Sequence, residues 1–124
     1  MRHQPILVLE DEILIAIDIE ESLASGGYSN IKLFHNCADA NAWLTNNTPS
    51  LAILDLHLGD GSCVAVALTL SERTVPFIVC SGIDQHDDSV EDVLRKGHWL
   101  GKPTEPQMLL AAVEAHLTAD APVS

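Results

Sequence analysis

Apolar residues in this chain come in short dense runs, each followed by polar residues and then by a segment whose apolar positions recur at helical spacing. Ile6-Leu-Val-Leu9, Leu51-Ala-Ile-Leu54 and Phe77-Ile-Val-Cys80 are apolar without alternation, which marks strands buried on both faces. Ile31-Lys-Leu-Phe34 is more polar and predicts a strand nearer an edge. His98-Trp-Leu100 predicts a short fifth strand. Helices are predicted over 12–25, 36–46, 63–70, 89–96 and 105–117. In the first, Ile13, Leu14, Ile17 and Ala24 set the apolar side and Asp18, Glu20 and Glu21 the wet side, although Ile15 and Ile19 blur the pattern. The second rests on Ala38, Ala42 and Trp43, the fourth on Val90, Val93 and Leu94. The last rests on Met108, Leu109, Ala112, Val113 and Leu117. Gly26-Gly27, Asn46-Asn-Thr-Pro49, Leu58-Gly-Asp-Gly61 and Gly97 break the pattern between elements. Ser62 and Thr104 are placed as helix caps, and Pro106 fits a first turn. Residues 119–124 read as a frayed tail.

Strand and helix thus alternate five times, which implies an α/β fold with a parallel sheet covered by helices on both faces. The common solution at this size is a flavodoxin-like (βα)5 sandwich with strand order 2-1-3-4-5. Its switch point falls between the first and third strands, and ligands in such sheets sit outside the carboxyl ends of the strands. Glu10 and Asp11 after the first strand and Asp55 after the third would then surround one crevice. A carboxylate at the end of an apolar strand is costly unless it meets a polar site or a charged partner. Taken singly, Asp55 is a strand end in solvent, Glu10-Asp11 a helix-start charge pair, Ser81 a turn residue and Lys102 a surface lysine. Four independent accidents at the same edge of one sheet are harder to accept.

The 124 residues suit one domain, 1–124 with a core of about 5–118, and 47% hydrophobic content argues against disorder. The formal charge of −12, with six Lys and Arg, excludes a nucleic-acid surface and an anionic membrane face, while leaving room for a cation. Cys37, Cys63 and Cys80 have no CxxC or zinc spacing; Cys63 and Cys80 read as core residues, and a reduced cytoplasmic setting fits. The four apolar residues near the start are too few for a signal peptide or a membrane span. His3, His35, His86, His98 and His116 show no metal spacing, and the acidic run 84–92 reads as a solvated face.

Clustered carboxylates call for a hard divalent cation, and an all-oxygen site suits Mg2+. Acids, a cation, the Ser81 hydroxyl and the Lys102 amine around Asp55 suit phosphoryl transfer to the Asp55 carboxylate. The ordered set Glu10-Asp11, Asp55, Ser81-Gly82 and Lys102-Pro103 resembles that of a bacterial two-component response-regulator receiver domain, over essentially the whole chain. The resemblance implies Mg2+ held by Glu10 or its waters, Asp11, Asp55 and the backbone carbonyl of His57. It implies a phosphoryl group taken by Asp55 from a phosphohistidine on a histidine kinase or histidine phosphotransfer protein. Ser81, Gly82 and Lys102 would receive that group, Trp99 would respond to it, and the Lys102-Pro103 peptide would be cis.

Such a chain is a phosphoacceptor that assists its own phosphorylation and dephosphorylation rather than an enzyme. Its output would be binding to a downstream protein, and it is open to homodimer formation through the fourth helix, fifth strand and fifth helix. Three features depart from the usual pattern: Glu10 where Asp is more frequent, His57-Leu-Gly-Asp-Gly after Asp55, and Trp99 in place of a smaller aromatic. The rival readings are a pseudo-receiver that never carries phosphate, a small Mg2+-dependent aspartyl phosphatase, and a flavin carrier. The last would need a phosphate cradle where Glu10-Asp-Glu12 repels phosphate. The phosphatase commonly has a second acid two residues after its nucleophile, where this chain has His57.

Overall fold

The computed structural model describes residues 5–55, 64–88, 90–102 and 104–119. Its elements are β1 (Ile6–Leu9), α1 (Ile13–Ser25), β2 (Ile31–Phe34), α2 (Cys37–Leu44), β3 (Leu51–Asp55), α3 (Val64–Glu72), β4 (Phe77–Ser81), α4 (Asp92–Arg95), β5 (His98–Gly101) and α5 (Pro106–Ala119). The five strands form one parallel sheet in the order β2-β1-β3-β4-β5, the predicted arrangement. β1, β3 and β4 are buried along their whole length, and the more polar β2 lies half-exposed at an edge.

Alternation along the strands divides the core into two layers. Leu7, Leu9, Ala52, Leu54, Phe77 and Val79 pack with Ala40 and Leu44 of α2, Val66 and Leu70 of α3 and Leu94 of α4. Ile6, Val8, Leu51, Ile53, Ile78 and Cys80 pack on the other side with Leu23 of α1 and Leu109, Val113 and Leu117 of α5. Cys80 is therefore a core residue, as expected; Cys63, the Ser62 cap and the 58–61 turn lie outside the described residues. Among the described residues, no helix is long and apolar enough to cross a membrane.

The helices correct four details. α2 buries Cys37, Ala40 and Leu44, whereas Ala38 and Ala42, expected among its apolar contacts, are exposed. α1 turns Ala16, Ile19 and Leu23 inward, and Ile13 and Leu14 are 65% and 78% exposed. With apolar residues at 13, 14, 15, 16, 17 and 19, hydrophobic spacing alone cannot choose the face. Met108 on α5 is likewise exposed rather than core-facing. α4 is a single turn, not the predicted two, because the segment before it is held by side chains instead of by helix hydrogen bonds. Arg95 donates to the carbonyls of Gln85 (3.2 Å) and Asp87 (2.8 Å), and Gln85 Nε2 donates back to the Arg95 carbonyl (2.7 Å).

Two helices end in the same way. After α1, Tyr28 N–H donates to Leu23 and Gly27 N–H to Ala24; after α3, Val75 N–H donates to Leu70 and Thr74 N–H to Ser71. This pair of hydrogen bonds closes a helix on a residue with positive φ. Gly27 takes that place in the first case (φ 91°) and Thr74 in the second (φ 54°). A β-branched residue is poorly suited to it. Thr74→Gly is therefore expected to stabilise the fold by about 0.5–1 kcal/mol, read as a higher urea midpoint at unchanged slope. Gly97 has the opposite character. A Cβ there would stand 2.6 Å from the buried Phe77 ring and 3.0 Å from the Phe77 carbonyl. Gly97→Ala is expected to cost about 1–3 kcal/mol, measured in the same way.

Candidate functional site

The carboxyl ends of β1, β3, β4 and β5 deliver the chemical groups. Glu10 directly follows β1. Its N–H donates to the Phe34 carbonyl (3.0 Å), its carbonyl lies 3.0 Å from His35 Nδ1, and its Oε2 accepts from the Glu12 N–H at 3.2 Å. Glu10 is 1% exposed. Asp55 closes β3 and is 3% exposed, whereas Asp11 faces solvent. Glu10, Asp11 and Asp55 each bring a carboxylate oxygen within 4.8 Å of the others.

Lys102 follows β5, and its backbone is tied down by donation from its N–H to the Ser81 carbonyl at 3.1 Å. Its ammonium donates to Asp55 Oδ1 at 3.0 Å and lies 3.6 Å from Glu10 Oε1. Two of the three clustered carboxylates, Asp55 and Glu10, thus share one ammonium. Burial, followed by the adjoining Asp55 carboxylate, pushes the Glu10 carboxyl up to about 7; the Glu12 N–H and Lys102 act against this. Burial pulls Lys102 down, but the hydrogen bond to Asp55 and the charges of Asp55 and Glu10 outweigh it and leave the amine above its usual value. Burial pushes the Cys80 thiol up, so this neighbour of the site stays a neutral core thiol. A groove of about 690 Å³ between α1 and α5 reaches the same Glu10–Lys102 pair, with Ile15, Ile19 and Leu109 among its lining residues.

Ser81 ends β4, buried, and its Oγ accepts from the Ile83 N–H at 2.9 Å. Gly82 is exposed, with open space where a Cβ would be. Trp99 is half-buried, and its indole N–H donates to the Leu94 carbonyl at 2.9 Å. The same carbonyl also accepts from the Gly97 N–H at 3.2 Å. The structure therefore gathers Glu10, Asp11, Asp55 and Lys102 directly and sets Ser81 in the adjacent strand. Asp55 is in register with Cys80, and Ser81 with Gly101. His57 and the Lys102-Pro103 peptide lie outside the described residues. Arg95, which fixes the loop after Ser81-Gly82, was not apparent from sequence. Its one sequence signal is an arginine three residues after Asp92, to which it is also paired at 2.8 Å.

The family model of the response regulator receiver domain matches residues 6–114. The chain belongs to that family. Among solved structures, SdrG from Sphingomonas melonis Fr1 is 31% identical with a TM-score of 0.75, covering 94% of this chain and 98% of that one. A two-component response regulator from Clostridium difficile is 25% identical with a TM-score of 0.81, covering 96% of this chain and all of that one. The two-component response regulator PprB of Pseudomonas aeruginosa is 27% identical over 120 residues, which is 91% of this chain and 43% of that protein. This receiver domain thus spans less than half the length of that curated relative.

The raised Glu10 value makes the stability of the receiver domain depend on pH. The folded state holds the Glu10 proton more tightly than the unfolded chain, so this contribution is complete below about 4.5 and lost as pH rises through about 7. In chelator-treated buffer the unfolding free energy is expected to fall by up to about 3 kcal/mol across that window. Glu10→Gln should flatten this part of the profile, as followed by urea denaturation at pH 5 and pH 8.

Proposed function

We propose that this receiver domain takes a phosphoryl group from a phosphohistidine onto Asp55, with Mg2+ bound among the carboxylates, and that the phosphorylated state alters binding to another protein. The observation that carries this reading is the Lys102 ammonium 3.0 Å from a nearly buried Asp55 inside a three-carboxylate cluster. The three carboxyl groups outnumber the one ammonium beside them, and an all-oxygen donor set of this kind fits a hard divalent cation. Glu10, Asp11, Asp55 and the His57 carbonyl would hold Mg2+, which when bound neutralises charge on the phosphoryl oxygens.

In the transfer, an Asp55 carboxylate oxygen attacks phosphorus in line with the departing imidazole nitrogen. The P–N bond breaks as the P–O bond forms, and the bonding pair leaves with the imidazole of the donor. Lys102 already donates to Asp55 and would shift that donation to a phosphoryl oxygen. Ser81 Oγ accepts from Ile83, which leaves its own O–H to donate to a second. The donor protein has to cover this edge. The exposed Ile13, Leu14 and Ile17, which follow Asp11 on α1, offer it an apolar surface beside the acids. Reaction with a kinase-borne phosphohistidine also accords with a cytoplasmic setting.

Incubation with acetyl phosphate and Mg2+ tests this by intact-mass measurement. The parent chain should gain one phosphoryl group, and Asp55→Asn none while still binding Mg2+. Lys102→Ala should slow the uptake by about 10²-fold or more. Equal labelling of Asp55→Asn would overturn the reading.

A further inference from the structure

At the amino end of the sheet, opposite the carboxylates, two histidines meet that are 18 positions apart in sequence. His98 opens β5 and His116 lies in the last turn of α5. His98 Nδ1 and His116 Nε2 are 3.1 Å apart, with ring centroids 5.2 Å apart and planes inclined at 62°. Both rings border a hollow of about 380 Å³, shared with Ser71, Thr74, Phe77 and Lys96.

We propose that His98 and His116 form a two-imidazole chelate for a late first-row divalent cation of the Ni2+, Cu2+ and Zn2+ class. Metal–imidazole bonds of about 2.0–2.1 Å, at angles between octahedral and tetrahedral, put neighbouring donor nitrogens about 2.9–3.4 Å apart. The observed separation falls inside that interval, so the two donors already stand at chelating distance, and turning the two rings would bring their lone pairs onto one ion. In the metal-free pair one nitrogen carries the proton that bridges to the other. Ligation replaces that bridge, and the proton moves to the second nitrogen of the same ring, so no net charge is lost. The hollow has room for several waters of about 30 Å³ each to complete the coordination sphere.

Charge and donor type separate this site from the acidic one. The carboxylates suit a hard ion, whereas imidazoles select the later transition metals. Lys96 on the rim opposes a cation, and the chain's net charge of −12 favours one. The two ligands belong to different elements, so an ion here would staple the edge strand to the last helix.

Titration calorimetry with Ni2+ tests the chelate, in excess Mg2+ to occupy the carboxylates and in a His3→Ala background to remove a competing imidazole. One Ni2+ per chain is expected, together with a Ni2+-dependent rise in Tm. His98→Gln and His116→Gln keep a polar side chain that can still hydrogen-bond. Each should weaken Ni2+ binding at least about tenfold and abolish the rise in Tm, with the Tm in chelator little changed. Absence of Ni2+ binding by the parent would overturn the proposal. So would loss confined to one of the two variants, or binding unaffected by both.

Discussion

Everything at the functional edge depends on Lys102 reaching back to Asp55. Without that contact, Glu10, Asp11 and Asp55 would be three like charges forced together by strand order, two of them almost without water. The ammonium does not cancel them, and the residual repulsion is visible in Glu10, whose carboxyl is pushed up to about 7. The Lys102 N–H donates to the Ser81 carbonyl, which fixes its backbone on the neighbouring strand. One short segment after β5 thus ties together the acid that ends β3 and the serine that ends β4. A receiver domain built in this way keeps unmatched negative charge among its acids, an arrangement that favours a cation there.

Much of this was legible in the amino-acid sequence, for physical reasons that also mark where legibility stops. Unbroken apolar runs such as Leu51–Leu54 can be satisfied in few ways other than as strands covered on both faces. Once three such runs and two more polar strands alternate with helices, topology alone brings Glu10 and Asp55 together. Periodicity failed where it was saturated: with apolar residues at nearly every position from 13 to 17, the buried face of α1 was decided by packing against β1 and α5. It failed again at α4, where loop carbonyls are satisfied by the Arg95 guanidinium, an interaction between side chain and backbone that hydrophobic spacing cannot register. The state of Glu10 was also out of reach, since it depends on distances of a few ångströms between segments remote in the chain.

The sheet carries different chemistry at its two ends. Carboxylates and an amine collect where the strands finish, and imidazoles where β5 begins and α5 ends. β5 is four residues long, so its ends lie roughly 10 Å apart at strand rise. That is close enough for one strand to report on both ends and too far for direct coordination between them. Donor hardness would keep their occupants apart without any steric barrier.

Leu94 adds a constraint on how Trp99 can move. Its carbonyl accepts from two donors, the Trp99 indole and the Gly97 amide. Withdrawal of the ring would therefore leave no orphaned oxygen behind, because the backbone amide keeps its hold. The indole N–H, on a half-buried side chain, could turn to water instead. The net loss is on the order of one ordinary hydrogen bond, about 1 kcal/mol. The aromatic is latched to the helix by a catch that releases without unravelling the turn beneath it.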